Sequence, residues 1–136
     1  MLARDMMRKK VATVREDTPV DDVLDLLVDQ HFHGAPVVDA DGKLVGIISQ
    51  QDIYFAGLSR PKSGGAKAKR KVVRAADIMT SPAVSATEET DLESLCQMMH
   101  KLRIHRVPIL RDEKLTGIIS SLDICGAVGR GEKLTS

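Results

Sequence analysis

The stretch GIISQQDI at residues 46–53 returns as GIISSLDI at residues 117–124. Gly-Ile-Ile reads as a short buried strand. Ser-x-x-Asp directly after it reads as a capping box, with Ser capping a helix and Asp at its third position. A strand feeding straight into a helix is therefore written twice, 71 residues apart.

Working backwards, the match continues at a shift of 72. Asp5-Met6-Met7 falls on Asp77-Ile78-Met79, Glu16 and Thr18 on Glu88 and Thr90, His33 on His105, and Pro36 on Pro108. The shift becomes 71 after Gly42, where DADGKL stands against RDEKL. A one-residue change confined to a turn is what a structural duplication tolerates. The chain is an internal repeat.

Each copy carries the same signals. A short extended segment (VATV, 11–14; AVSA, 83–86) precedes Thr18-Pro19-Val20-Asp21 or Thr90-Asp91-Leu92-Glu93. Thr with an acid three residues on predicts a helix capped by Thr18 or Thr90, with Pro19 in its first turn. Val20, Val23, Leu24, Leu27 and His31 keep helical spacing, as do Leu92, Leu95, Cys96, Met99 and Leu102. Two apolar strands follow, at 35–38 and 44–48 in the first copy and 107–110 and 115–119 in the second, then the Ser-x-x-Asp helix. Each copy is thus a β-α-β-β-α unit, too small to bury a good core alone. The predicted organisation is repeat 1 at 1–59, linker at 60–74, repeat 2 at 75–130 and tail at 131–136.

Composition limits the function classes. The chain has 136 residues, 43% of them hydrophobic but only 2% aromatic, so the core is aliphatic and platforms for stacking bare bases are scarce. Net charge is +1, unevenly spread. Seven of the 20 basic residues (Arg60, Lys62, Lys67, Lys69, Arg70, Lys71, Arg74) fall in the linker, leaving 13 against 19 acidic residues elsewhere. The linker reads as a solvated connector, with a flap over a polyphosphate or a nonspecific nucleic-acid contact as its other readings. Nucleic acid is not the expected partner. The two cysteines, Cys96 and Cys125, have no CxxC spacing, and no signal-peptide or membrane-spanning run is visible, so a reducing cytoplasm is expected. His31, His33, His100 and His105 could suggest zinc, but their spacing is generic and no metal is expected. Met6, Met7, Met98 and Met99 read as core or dimer-face residues. No nucleophile-base motif or Walker-type loop appears, so no enzymatic activity is expected.

The markers Asp77-Ile78-Met79-Thr80, His-Gly-Ala-Pro at 33–36, His-Arg-Val-Pro at 105–108 and the doubled Gly-Ile-Ile-Ser-x-x-Asp, in this order and spacing, resemble a tandem pair of CBS domains, or Bateman module. The resemblance covers residues 3–57 and 75–129. It implies an α/β (α+β) fold in which two repeats pack with pseudo-twofold symmetry. It also implies regulation without catalysis, frequent dimerisation, and clefts that bind AMP, ADP, ATP or another adenosyl ligand such as S-adenosylmethionine or NAD. No cofactor is otherwise implied, and the client protein is unknown.

By that resemblance Asp52 and Asp123 hold ribose, while Ser49 and Ser120 touch phosphate. One cleft joins Ser120 and Asp123 to Val11, Ala12, Gly34 and Ala35. The other joins Ser49 and Asp52 to Ala83, Val84 and Val107. RIHRVP at 103–108 resembles a phosphate-contacting segment in the regulatory subunit of AMP-activated protein kinase, which makes His105 and Arg106 phosphate candidates. Gly34 replaces that Arg in the first copy, beside His33. The bland reading of the same turns stays open: Ser-x-x-Asp can be a helix cap worth about 1 kcal/mol and nothing more, in a dimerisation or docking module with empty clefts.

Overall fold

A computed structural model describes residues 1–57 and 72–135. Apart from Arg74, the basic residues of the predicted linker lie outside the described residues. In chain order the elements are α1 (Ala3–Met6), β1 (Val14–Arg15), α2 (Val20–Asp29), β2 (Gly34–Val38), β3 (Leu44–Ser49) and α3 (Gln50–Phe55). Then come α4 (Ala75–Ile78), β4 (Ala86–Thr87), α5 (Leu92–Leu102), β5 (Arg106–Arg111), β6 (Lys114–Ser120) and α6 (Ser121–Gly129). The mixed α+β class expected from the pattern is what the chain adopts.

The chain forms two compact units, and they exchange their leading segments. One comprises Ala12–Ala83; the other comprises Met1–Val11 together with Val84–Ser136. In each unit a parallel pair (β1 with β2; β4 with β5) is extended by an antiparallel hairpin (β2 with β3; β5 with β6). The helix α2 or α5 makes the crossover that parallel pairing requires.

Burial follows the predicted stripes. In the first unit α2 buries Val20, Val23, Leu24 and Leu27 against Val37 and Ile48. In the second, Leu92, Leu95 and Met99 of α5 meet Val107, Ile109 and Ile119. Met6, Met7 and Met98 pack against that same core. Leu102, placed on the stripe by spacing, is 47% exposed.

Three expectations are corrected. Each repeat begins with a four-residue helix, α1 or α4, that was not anticipated. The Asp5 and Asp77 carboxylates accept the N–H groups of Leu2 and Arg74, which explains why that acid is written twice. Thr18 and Thr90 do not cap α2 and α5. Their hydroxyls accept from Arg15 and Thr87 and so close the turn after each short strand. Pro19 and Asp91 occupy the cap positions, and the Asp91 carboxylate accepts the Ser94 N–H. Finally, α2 stops at Asp29, and His31 lies beyond it with φ of 57°.

The offset change is a difference in hairpin chemistry. After β2 the Asp39 carboxylate accepts the N–H groups of Asp41 and Lys43, and Gly42 takes φ of 83°. After β5 the chain turns through Asp112 and Glu113, at φ of 50° and 67°. Two successive left-handed residues make the tight hairpin turn that matches strand twist.

Candidate functional site

In the unit containing α6, the site begins with a glycine. A Cβ on Gly117 would lie 2.6 Å from the Met7 sulfur, so Gly lets the Met7 side chain lie against β6 without shifting. Arg8 then pairs through its backbone with Ile118, N–H to carbonyl in both directions at 2.9 and 3.0 Å. That pairing delivers the Arg8 side chain to the start of α6.

There Ser120 and Asp123 complete the predicted capping box. The Ser120 Oγ accepts the Asp123 N–H at 3.1 Å, and Asp123 Oδ2 accepts the Ser120 N–H at 3.0 Å. Asp123 Oδ1 takes two donors from Arg8, Nη2 at 2.8 Å and Nε at 3.1 Å. Burial alone would raise the Asp123 carboxyl. The Arg8 hydrogen bonds, the Ser120 N–H and hydroxyl, and the Arg8 charge outweigh it and hold the group below its ordinary value of 3.8.

The other unit repeats the backbone and changes the chemistry. A Cβ on Gly46 would lie 2.6 Å from the Met79 sulfur, and Thr80 pairs with Ile47 as Arg8 does with Ile118. Ser49 and Asp52 form the same box, with Asp52 Oδ2 accepting the Ser49 N–H at 2.8 Å. Thr80 stands where Arg8 stands in the other unit. Among the described residues Asp52 has no cationic partner.

The helix ends offer few free amides. The first helical N–H of α3 (Gln50) and of α6 (Ser121) each donates to a histidine carbonyl, His33 or His105, at 2.8 Å. The third donates to the Ser cap. A phosphate at either turn would therefore depend mainly on side chains rather than on bare backbone donors. Arg106, half-buried, lies opposite Ser120 in the β5–β6 register, and His105 is exposed beside it. Gly34 holds the corresponding place opposite Ser49, and a Cβ there would come within 2.9 Å of the Ile48 carbonyl oxygen. The first copy is thus built to exclude a side chain where the second carries Arg.

The unit containing α6 brings together Arg8, His105, Arg106, Ser120 and Asp123, and it also holds Val11, Val84 and Val107. The other holds Ala12, His33, Gly34, Ala35, Ser49, Asp52 and Ala83. Val107 and Ala35 are core residues, 0% and 2% exposed, so their side chains are already spent on packing. Arg8 is the residue that the motif reading missed. The signal was present, because the aligned segments DMMR and DIMT differ in charge only there. Among the described residues no group of three or more His, Cys, Asp or Glu could hold a metal ion. None of their helices is long and apolar enough to cross a membrane.

Comparison with known proteins gives a consistent result. The CBS domain family profile matches residues 3–59 and 75–130. The inosine-5′-monophosphate dehydrogenase of Nitrosopumilus maritimus is 34% identical over 113 residues, which is 82% of this chain but 21% of that enzyme. The match to the Methanocaldococcus jannaschii enzyme is similar, so this chain spans about a fifth of these relatives. The CBS domain pair of protein MJ0100, solved with 5′-methylthioadenosine and S-adenosyl-L-methionine, superposes with a TM-score of 0.80 at 27% identity. It covers 97% of this chain and 98% of that one. CBSX2 in complex with AMP gives 0.80 at 28% identity, with the same coverage.

Proposed function

This chain belongs to the CBS domain family, and on that premise we propose that it is a regulatory module without catalysis of its own, binding an adenosyl ligand at its strand-to-helix turns. The observation that carries the reading is the state of Asp52. One carboxylate oxygen is fixed by the Ser49 N–H, which orients the group, and the other accepts no hydrogen bond among the described residues. An ionised carboxylate only accepts, and a ribose diol supplies two hydroxyl donors at matching spacing. Two structural relatives hold adenosyl compounds, AMP in one and 5′-methylthioadenosine with S-adenosyl-L-methionine in the other. Within that class we favour AMP, ADP or ATP, because Arg106 and His105 flank the second turn with donors for phosphate. The ligand regulates by binding one conformation of the protein better than another.

The test is thermal unfolding against AMP, ADP, ATP, S-adenosylmethionine and NAD, with GTP as control. A ligand at 100 times its dissociation constant adds about 2.7 kcal/mol, a shift of several degrees for a chain of this size. The shift is expected with adenosyl compounds and absent from the Asp52→Ala/Asp123→Ala double variant. An equal response to GTP, or one that survives in the double variant, would refute the assignment.

A second reading, self-association for docking a client, is favoured by apolar side chains left outside. Leu122 and Val128 of α6 are 78% and 55% exposed, and Phe55 of α3 is 85% exposed. Light scattering after size exclusion decides it: a dimer weakened by Leu122→Glu supports it, and a monomer at high concentration removes it.

A further inference from the structure

Among the described residues the pair between Arg8 and Asp123 has no counterpart in the other repeat, and it sits on the atom that a ribose would need. Both Arg8 donors converge on Oδ1, while Oδ2 is committed to the Ser120 N–H. We propose that Arg8 determines which adenosyl ligands the Asp123 turn accepts, admitting phosphorylated nucleosides and disfavouring unphosphorylated ones. The proposal rests on the adenosyl-binding reading above and goes beyond it by assigning a selector.

The reasoning is an exchange of partners. A diol arriving at Asp123 must take Oδ1 from Arg8. The Arg8 backbone is fixed to β6 on both sides, but its side chain is 68% exposed and can swing away without disturbing the strand. The displaced guanidinium then needs an anion. A phosphate supplies one in the planar two-oxygen geometry that Arg matches best. An unphosphorylated nucleoside supplies none, so its hydroxyls compete against an ion pair with no compensation. A cationic adenosyl compound fares worse, through repulsion. Arg106 opposite Ser120 adds charge of the same sign, and two of the first three N–H groups of α6 are already taken. Charge recognition at this turn therefore falls to the arginines. At Asp52 the neutral Thr80 imposes no such condition, so the two turns of one chain have different ligand requirements.

The experiment uses the Asp52→Ala chain, in which only the Asp123 turn remains intact, and titrates it calorimetrically with AMP and with adenosine. Arg8→Thr is then added, installing the residue that position 80 already accommodates. AMP is expected to bind tighter than adenosine before the change. After it, adenosine should gain about two- to fivefold, the range for losing a partly exposed ion-pair competitor, and AMP should weaken. Arg8→Lys, which keeps the charge, should retain most of the preference. An AMP-to-adenosine ratio unmoved by Arg8→Thr would overturn the selector and leave the adenosyl-binding reading standing. So would an Asp52→Ala chain that binds neither ligand while wild type binds one. If wild type itself binds no adenosyl compound, both readings fall together.

Discussion

Removing the Asp123 carboxylate should cost the ligand-free protein more than removing that of Asp52, and the excess should be traceable to a single side chain. Both substitutions to Ala delete the hydrogen bond from a cap N–H to a carboxylate, a net loss of about 0.5–1.5 kcal/mol each. Asp123→Ala also deletes the Arg8 pair. Exposed ion pairs are worth about 0.2–1 kcal/mol. Here the Asp side chain is only 13% exposed and both Arg donors bond to it, which places this pair near the top of that range. Asp123→Ala should therefore exceed Asp52→Ala by roughly 0.5–1 kcal/mol. The assay is urea unfolding of wild type, Arg8→Ala, Asp123→Ala and the double variant, with Asp52→Ala and Arg8→Ala/Asp52→Ala as a second cycle. Coupling of at least about 0.5 kcal/mol is expected in the first cycle and none in the second. It should shrink as salt rises. Zero coupling in the first cycle, or equal coupling in both, would refute the assignment of an ion pair to one repeat alone.

Acid should reveal the same pair. The folded Asp123 lies below 3.8, so its contribution is fully present above the unfolded value and is lost as pH falls through the folded one. The stability difference between wild type and Arg8→Thr should stay level above about pH 5 and vanish in strong acid; a difference that grows on acidification would contradict it. Gly46→Ala should destabilise more than Gly117→Ala. Its new Cβ meets the Thr80 carbonyl oxygen at 2.9 Å as well as the methionine, whereas at Gly117 the three nearest atoms all belong to the Met7 side chain. Overpacking costs of about 1–3 kcal/mol are expected, read from denaturation midpoints, and the reverse order would count against the packing argument. Gly34→Arg should not give the first turn a phosphate contact equal to that of Arg106, because its Cβ would press on the Ile48 carbonyl. A stable variant with tightened AMP binding would show that β2 shifts to admit the side chain.

Much of this architecture was legible because it is periodic or local. The apolar run Gly-Ile-Ile and the spacing of Leu92, Leu95 and Met99 report burial directly, and Ser-x-x-Asp reports a cap that both repeats do form. The four-residue helices α1 and α4 were hidden because one turn of helix has no period to detect. Thr18 and Thr90 were misplaced by one residue because a hydroxyl that closes a turn and one that caps a helix look alike in sequence. The exchange of leading segments between units was not legible either. It is carried by backbone pairing at Arg8 and Thr80, whose trace in the sequence is a repeated glycine and a distant repeated methionine. For the same reason Arg8 escaped notice: it lies 115 positions from its partner, in a segment that reads as an undistinguished basic run.

That exchange also sets an order of assembly during synthesis. Residues 12–83 are contiguous in sequence, and the residues of that unit's core all lie among them, so they are all made before β6 is. Residues 1–11 are made before residues 12–83 yet belong with residues 84–136, and they must wait for β6 to be made before Gly117 and Ile118 can receive them. The earlier-made segment is thus the later to find its place, and Arg8 reaches Asp123 only after β6 and the start of α6 have been made.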